Sequence, residues 1–147
     1  MAPRLLYCGL LNGEDDVRNA GSRARGIIKT GGLYCGPIRM VVMEHIEGDT
    51  VDKVSAPPKN AREKTEETIQ KLHDAQLVFG NLRPSNVMLS WDKLFLIDFD
   101  WAGRLNEARY PMTLPRNVRW PREARELEMK PILMDHDWFM LDQLFPK

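Results

Sequence analysis

Two amides and two carboxylates, Asn81, Asn86, Asp98 and Asp100, are the residues of this chain best suited to phosphate and metal chemistry. They punctuate residues 72–103, LHDAQLVFGNLRPSNVMLSWDKLFLIDFDWAG, in which short apolar runs alternate with polar loops. If 87–89 and 94–97 pair as strands, Asn86 at the start of one faces Asp98 at the end of the other. A carboxylate and an amide oxygen so placed can hold Mg2+, with phosphate oxygens and water completing an octahedral shell. Asp100 could add a further acceptor. Phosphoryl transfer also needs a group that orients the attacking hydroxyl and takes its proton. Asn81 stands in the suitable place, yet a carboxamide has no useful basicity.

Positioning these groups requires a scaffold. Residues 4–10 read as a strand, with Leu5, Leu6, Tyr7 and Leu10 available for burial. The polar stretch 12–29 carries no clear element and reads as a long loop or partly ordered insertion. Strand propensity returns at 33–35, breaks at Gly36-Pro37 and resumes at 38–45, the pattern of two strands joined by a turn. Asp49-Thr50 could cap a helical turn through Val54. Pro57-Pro58 separates this strand-rich front from a helix over 61–76, where Thr65, Thr68, Ile69, Leu72 and Ala75 can share one side. Val78-Phe79, 87–89 and 94–97 are short apolar runs, and Ser90-Trp91-Asp92-Lys93 reads as a hairpin turn. Prolines at 111, 115, 121 and 131 leave room for one helical turn near 123–129. Asp135 could cap a last helix carrying Trp138, Phe139, Leu141, Leu144 and Phe145, apolar enough to lie in the core or meet a partner.

Composition narrows the function classes. At 147 residues the chain suits one domain with a true core, and 21 basic residues balance 21 acidic ones. That balance argues against nucleic acid or a membrane surface as partner. Two cysteines, Cys8 and Cys35, with eight methionines and no secretory start fit reduced thiols in the cytoplasm or nucleus. No run is long enough for a membrane span. No His and Cys set has zinc-like spacing.

The central stretch resembles the catalytic core of the protein-kinase-like superfamily. Phe79-Gly80-Asn81-Leu82-Arg83-Pro84-Ser85-Asn86 keeps that family's five-residue interval and final Asn, with Asn81 at the catalytic Asp and Phe79 at the usual His. Asp98-Phe99-Asp100 keeps the metal-binding Asp, with Asp100 where Gly usually stands. The resemblance implies Asn86 and Asp98 as metal ligands, Asp137 as a buried brace for the catalytic-like loop, and His73 as the end of the helix before it. It makes residues 40–48, with Glu44 and Ile46, the fifth strand and hinge whose backbone meets adenine. The fold so implied is α+β, a truncated kinase-like core: residues 1–56 a small-lobe strand and hinge remnant, and 57–147 a partial large lobe. The glycine-rich loop and phosphate-binding lysine have no counterpart; Gly31-Gly32 has the wrong spacing, and Lys29 has no reason to sit at phosphate.

The function expected from this is that of a pseudokinase, a catalytically impaired protein acting through a protein partner or as a homodimer. Loss of a general base lowers turnover by about 10²–10⁴. No cofactor is required on this reading, with weak binding of Mg2+ and ATP as an extra. The alternatives are a weak Mg-dependent phosphotransferase or nucleotide-binding protein, and a metal-dependent phosphoester hydrolase built on Asp98, Asp100 and Asn86. Plainer roles stand beside these. Asn81 and Asn86 could bond only loop backbone, and Asp100 could pair with Arg83 or Arg104. His45 and His73 could be simple strand-end and helix-end residues, His136 could be a ligand, and Trp91, Trp101, Trp120 and Trp138 could be core or loop anchors. The arginines at 18–25 and 116–125 would matter to nucleic acid only if they cluster on one face.

Overall fold

A computed structural model describes residues 2–10 and 39–146. The expectations for 12–29, 33–35, Gly36-Pro37, Lys29, Gly31-Gly32 and Cys35 lie outside the described residues. The chain divides into two compact units, residues 3–45 and 46–147. The division falls ahead of Pro57-Pro58, so the segment from Ile46 belongs with the helical part.

In the first unit, β1 (Leu5–Leu10) pairs antiparallel with β2 (Arg39–Met43), with a register shift between Leu5 and Tyr7. The Glu44 amide extends the ladder to the Arg4 carbonyl at 2.9 Å. Leu5 and Leu6 are 57% and 53% exposed, against the burial expected of them.

The second unit is built on α1 (Ala61–Asp74). Ala61, Thr65, Ile69 and His73 recur every four residues and form its buried stripe. Ala75, expected on that face, is exposed, because the helix ends at Asp74 and Gln76 turns back at φ 57°. The Gln76 amide then donates to the His73 carbonyl at 2.9 Å, closing the last turn with a left-handed residue. Burying a side chain such as Ile69 contributes roughly 1.5–3 kcal/mol.

Three antiparallel strands follow in the order β3 (Asp49–Thr50), β5 (Val87–Ser90), β6 (Lys93–Leu96). Asp49-Thr50 is therefore strand and not a helix cap: pairing with Leu89 and Met88 satisfies its backbone better than an isolated turn would. Gly48 leads into it so closely that a Cβ there would lie 2.1 Å from the Leu89 carbonyl oxygen. Leu94, Phe95 and Leu96 are buried in succession, as in a strand covered on both faces. A separate pair joins β4 (Leu77–Val78) to β7 (Gly103–Arg104). Two helices complete the unit: α2 (Ala124–Leu127), a single turn, and α3 (Met134–Leu144), which packs on α1 and buries His136, Asp137, Met140 and Leu141.

The result is a small α+β structure, and the expected bilobal kinase core is corrected on this point. Among the described residues the front contributes only the two-stranded β1–β2 pair, with no glycine-rich loop and no small-lobe sheet. No described helix is long and apolar enough to cross a membrane.

Candidate functional site

The polar cluster forms where β5 and β6 end together. Val87 pairs with Leu96, so Asn86 and Ile97 are the next residues out, and the Ile97 amide donates to the Asn86 carbonyl at 3.0 Å. Asp98 follows immediately, held at φ 62°, a left-handed conformation that Asp tolerates better than most residues. Its carboxylate is exposed.

Asn81 joins the two strand ends. Its side-chain amide donates to Asp98 Oδ2 at 3.2 Å, and its carbonyl accepts from Asn86 Nδ2 at 2.9 Å. Asn86 Oδ1 accepts the Ser85 hydroxyl at 3.2 Å. Asn81 and Asn86 are 1% and 4% exposed, yet among the described residues Asn81 Oδ1 has no hydrogen-bond partner. A buried orphan acceptor costs about 1–3 kcal/mol unless something occupies it. Three oxygen-bearing groups are thus on offer: one carboxylate and two amides.

These donors suit a hard cation such as Mg2+, which takes oxygen ligands. Among the described residues no three His, Cys, Asp or Glu gather in metal-holding geometry. One carboxylate with two neutral amides is a thin ligand set, so a cation here would need phosphate oxygens to complete its shell.

Asp137 anchors the loop from beneath. Its carboxylate is fully buried; Oδ2 accepts from His73 Nε2 and the Phe79 amide at 2.9 Å each, and Oδ1 accepts from the Gly80 amide at 2.7 Å. Charge-assisted bonds to successive amides fix the path of the backbone into Asn81. Gly80 sits at φ +74°, and a Cβ there would come within 2.6 Å of Ile132 Cδ1. Phe79 and Phe99 meet edge to face at 5.1 Å, tying the two loops together. His73 is therefore more than a helix-end residue.

The remaining candidates take no part in this set of hydrogen bonds. Asp100 is exposed and makes no ion pair among the described residues; Arg83 lies over the Trp101 ring at 5.9 Å, and Arg104 is part of β7. Glu44 belongs to the first unit, where its amide is already committed to Arg4, and Ile46 begins the second. His136 is no metal ligand among the described residues: Nδ1 is 3.2 Å from the Tyr110 hydroxyl and accepts from the Leu133 amide at 3.3 Å. Burial holds its pKa below the usual 6.5, with Arg122 acting the same way and Asp137 and Asp135 opposing. Burial, then Asp137, pushes the Tyr110 phenol well above its ordinary range, so it remains a donor. Of the tryptophans, Trp120 is an anchor at 6% exposure, whereas Trp91 is 93% exposed at the hairpin tip.

No family model matches the chain. It is similar to part of three archaeal proteins, each described as a "Probable bifunctional tRNA threonylcarbamoyladenosine biosynthesis protein". For Methanosarcina mazei the identity is 40% over 60 residues, 41% of this chain and 11% of the relative. For Methanospirillum hungatei it is 34% over 70 residues, 48% and 13%. For Methanosarcina barkeri it is 37% over 60 residues, 41% and 11%. The chain thus matches only 11–13% of the length of these relatives.

This similarity overturns several expectations. It points toward tRNA threonylcarbamoyladenosine biosynthesis proteins in place of the protein-kinase-like superfamily, and a pseudokinase acting only by protein binding or as a homodimer loses its support. The relatives are described as biosynthesis proteins, against the reading of a chain without enzymatic work. The same description names tRNA, against the exclusion of nucleic acid that the balanced charge had suggested. Net charge averages over the surface and is blind to local clusters.

Proposed function

We propose that this chain carries a Mg2+-dependent nucleotide-binding site that performs phosphoryl transfer in the service of tRNA threonylcarbamoyladenosine biosynthesis. The observation that carries the reading is the bonded set Asn81, Asn86 and Asp98: an exposed carboxylate beside two buried amides, one with an unpartnered oxygen. The three relatives support the biological setting.

Asp98 and Asn86 are the ligands, with Asn81 Oδ1 turned to the same service. Bound Mg2+ would neutralise phosphate charge and help orient the group transferred. Asp98 presents a full charge at the surface, where a phosphate-bound cation can reach it. Asn86 is held by Asn81 and Ser85, so its oxygen needs little reordering on binding. Asn81 positions Asp98 and accepts no proton. Asp100, exposed two residues further on, is the carboxylate assigned to orient or deprotonate the acceptor.

Calorimetric titration with ATP tests this. Binding is expected with Mg2+ present, weakened without it and lost in Asp98→Ala. Absence of any heat at millimolar nucleotide and Mg2+ would exclude the proposal.

A further inference from the structure

Residues 116–125 carry Arg116, Arg119, Arg122 and Arg125 at three-residue intervals, and all four line one cavity of about 710 Å3 together with Trp120 and Glu123. The four are exposed. Arg116 pairs with Glu128 at 2.7 Å, while among the described residues Arg119, Arg122 and Arg125 make no ion pair. In a chain with 21 charges of each sign, this is a local concentration of guanidinium.

Trp120 is buried within the cavity lining. Trp120 donates its indole N–H to the Pro115 carbonyl at 2.9 Å and packs against Trp101 and Tyr110 at centroid distances of 5.8 and 5.9 Å. At 6% exposure it leaves no free ring face on which an unpaired base could stack. A second cavity of about 360 Å3 shares Val118 and Arg119 with the first and is lined by Arg83, two residues beyond Asn81. Arg83 Nε is itself buried with no partner among the described residues. The two cavities thus adjoin through Val118 and Arg119, and together they bring five arginines to their walls.

We infer that this groove binds the phosphodiester backbone of folded RNA. Guanidinium forks match phosphate oxygens bidentately, and a backbone with a charge at every residue suits arginines at a regular interval. Trp120 is closed to stacking and Phe139, the other aromatic of the lining, is half-buried, so contacts to phosphate carry the recognition, as they do for a structured strand. The choice of RNA over an acidic peptide rests on the proposed function, which the inference deepens by naming the contact with tRNA.

Fluorescence anisotropy of a labelled tRNA transcript with the full chain tests it across a KCl series. Three or four phosphate contacts give a log–log slope of about −3 with affinity in the micromolar range or weaker. Combined Arg119→Gln, Arg122→Gln and Arg125→Gln should weaken binding about tenfold or more and flatten the slope to about −1. Glu123→Gln, which keeps every arginine, should tighten binding about twofold. Undiminished binding in the triple variant, a salt-independent signal, no response to Glu123→Gln, or competition by polyglutamate as strong as by unlabelled tRNA would overturn the inference. The triple variant should still bind Mg-ATP, and Asp98→Ala should still bind RNA, so failure of either site is read separately.

Discussion

The side-chain amide of Asn81 donates to the carboxylate of Asp98 across 3.2 Å, joining residues 17 positions apart. Replacing that amide by a second carboxylate turns attraction into repulsion unless a cation lies between them. Asn81→Asp should therefore lose at least about 1–3 kcal/mol of stability in metal-free buffer: the repulsion is screened at exposed Asp98, but position 81 is 1% exposed and the new carboxyl is desolvated there. Millimolar Mg2+ should restore it, raising the melting temperature of the variant more than that of the parent. Thermal shift with and without Mg2+ measures the difference, and equal shifts would count against a cation site here.

Asp137 has three donors and no exposure to water. Asp137→Ala leaves two buried backbone amides and the His73 ring without their acceptor, at a cost of about 3–5 kcal/mol. Urea denaturation should show the midpoint falling with little change in slope. A loss below about 1 kcal/mol would mean that water replaces the carboxylate.

Gly80 combines a left-handed backbone with close approach to Ile132. Gly80→Ala should destabilise by about 1–3 kcal/mol, part from conformation and part from the clash. Ile132→Val in the same chain should recover the steric part only. A double-mutant cycle in urea checks this, and strict additivity would show that the Ile132 contact is irrelevant.

His136 links stability to pH. Its folded pKa lies below 6.5 because it is buried, so the unfolded chain binds the proton more readily. The stabilisation is complete above about pH 6.5 and is lost as pH falls toward the lower, folded value. His136→Asn, which can still accept from Tyr110 and Leu133, should remove this component, so that its stability changes less than that of the parent between pH 7.5 and 5.5. Parallel denaturant titrations at the two values decide it; identical slopes would assign the pH dependence to carboxylates elsewhere.

Much of the scaffold is legible in the order of residues. The four-residue recurrence of Ala61, Thr65 and Ile69 marks α1, the apolar runs about Ser90-Trp91-Asp92-Lys93 mark the β5–β6 hairpin, and hairpin geometry brings Asn86 beside the residue preceding Asp98. These are local patterns, decided within a few turns or strand residues. What lay beyond them misled. Balanced charge argued against nucleic acid, and whether the arginines at 116–125 share one face was not decided by their order; Asp49-Thr50 was drawn into β3 by a partner strand that no nearby residue announces.

Sequence alone determined α1, the β5–β6 hairpin and the last helix, and that position 81 carries an amide, which has no useful basicity. The brace of Asp137 on the loop was implied by the resemblance, but tertiary structure alone decided that it also takes His73, 64 positions back, that Asn81 Oδ1 is buried without a partner among the described residues, and that Arg83 lies over Trp101. Local periodicity sets which face a residue takes, but partners distant in the chain are chosen by how the elements pack.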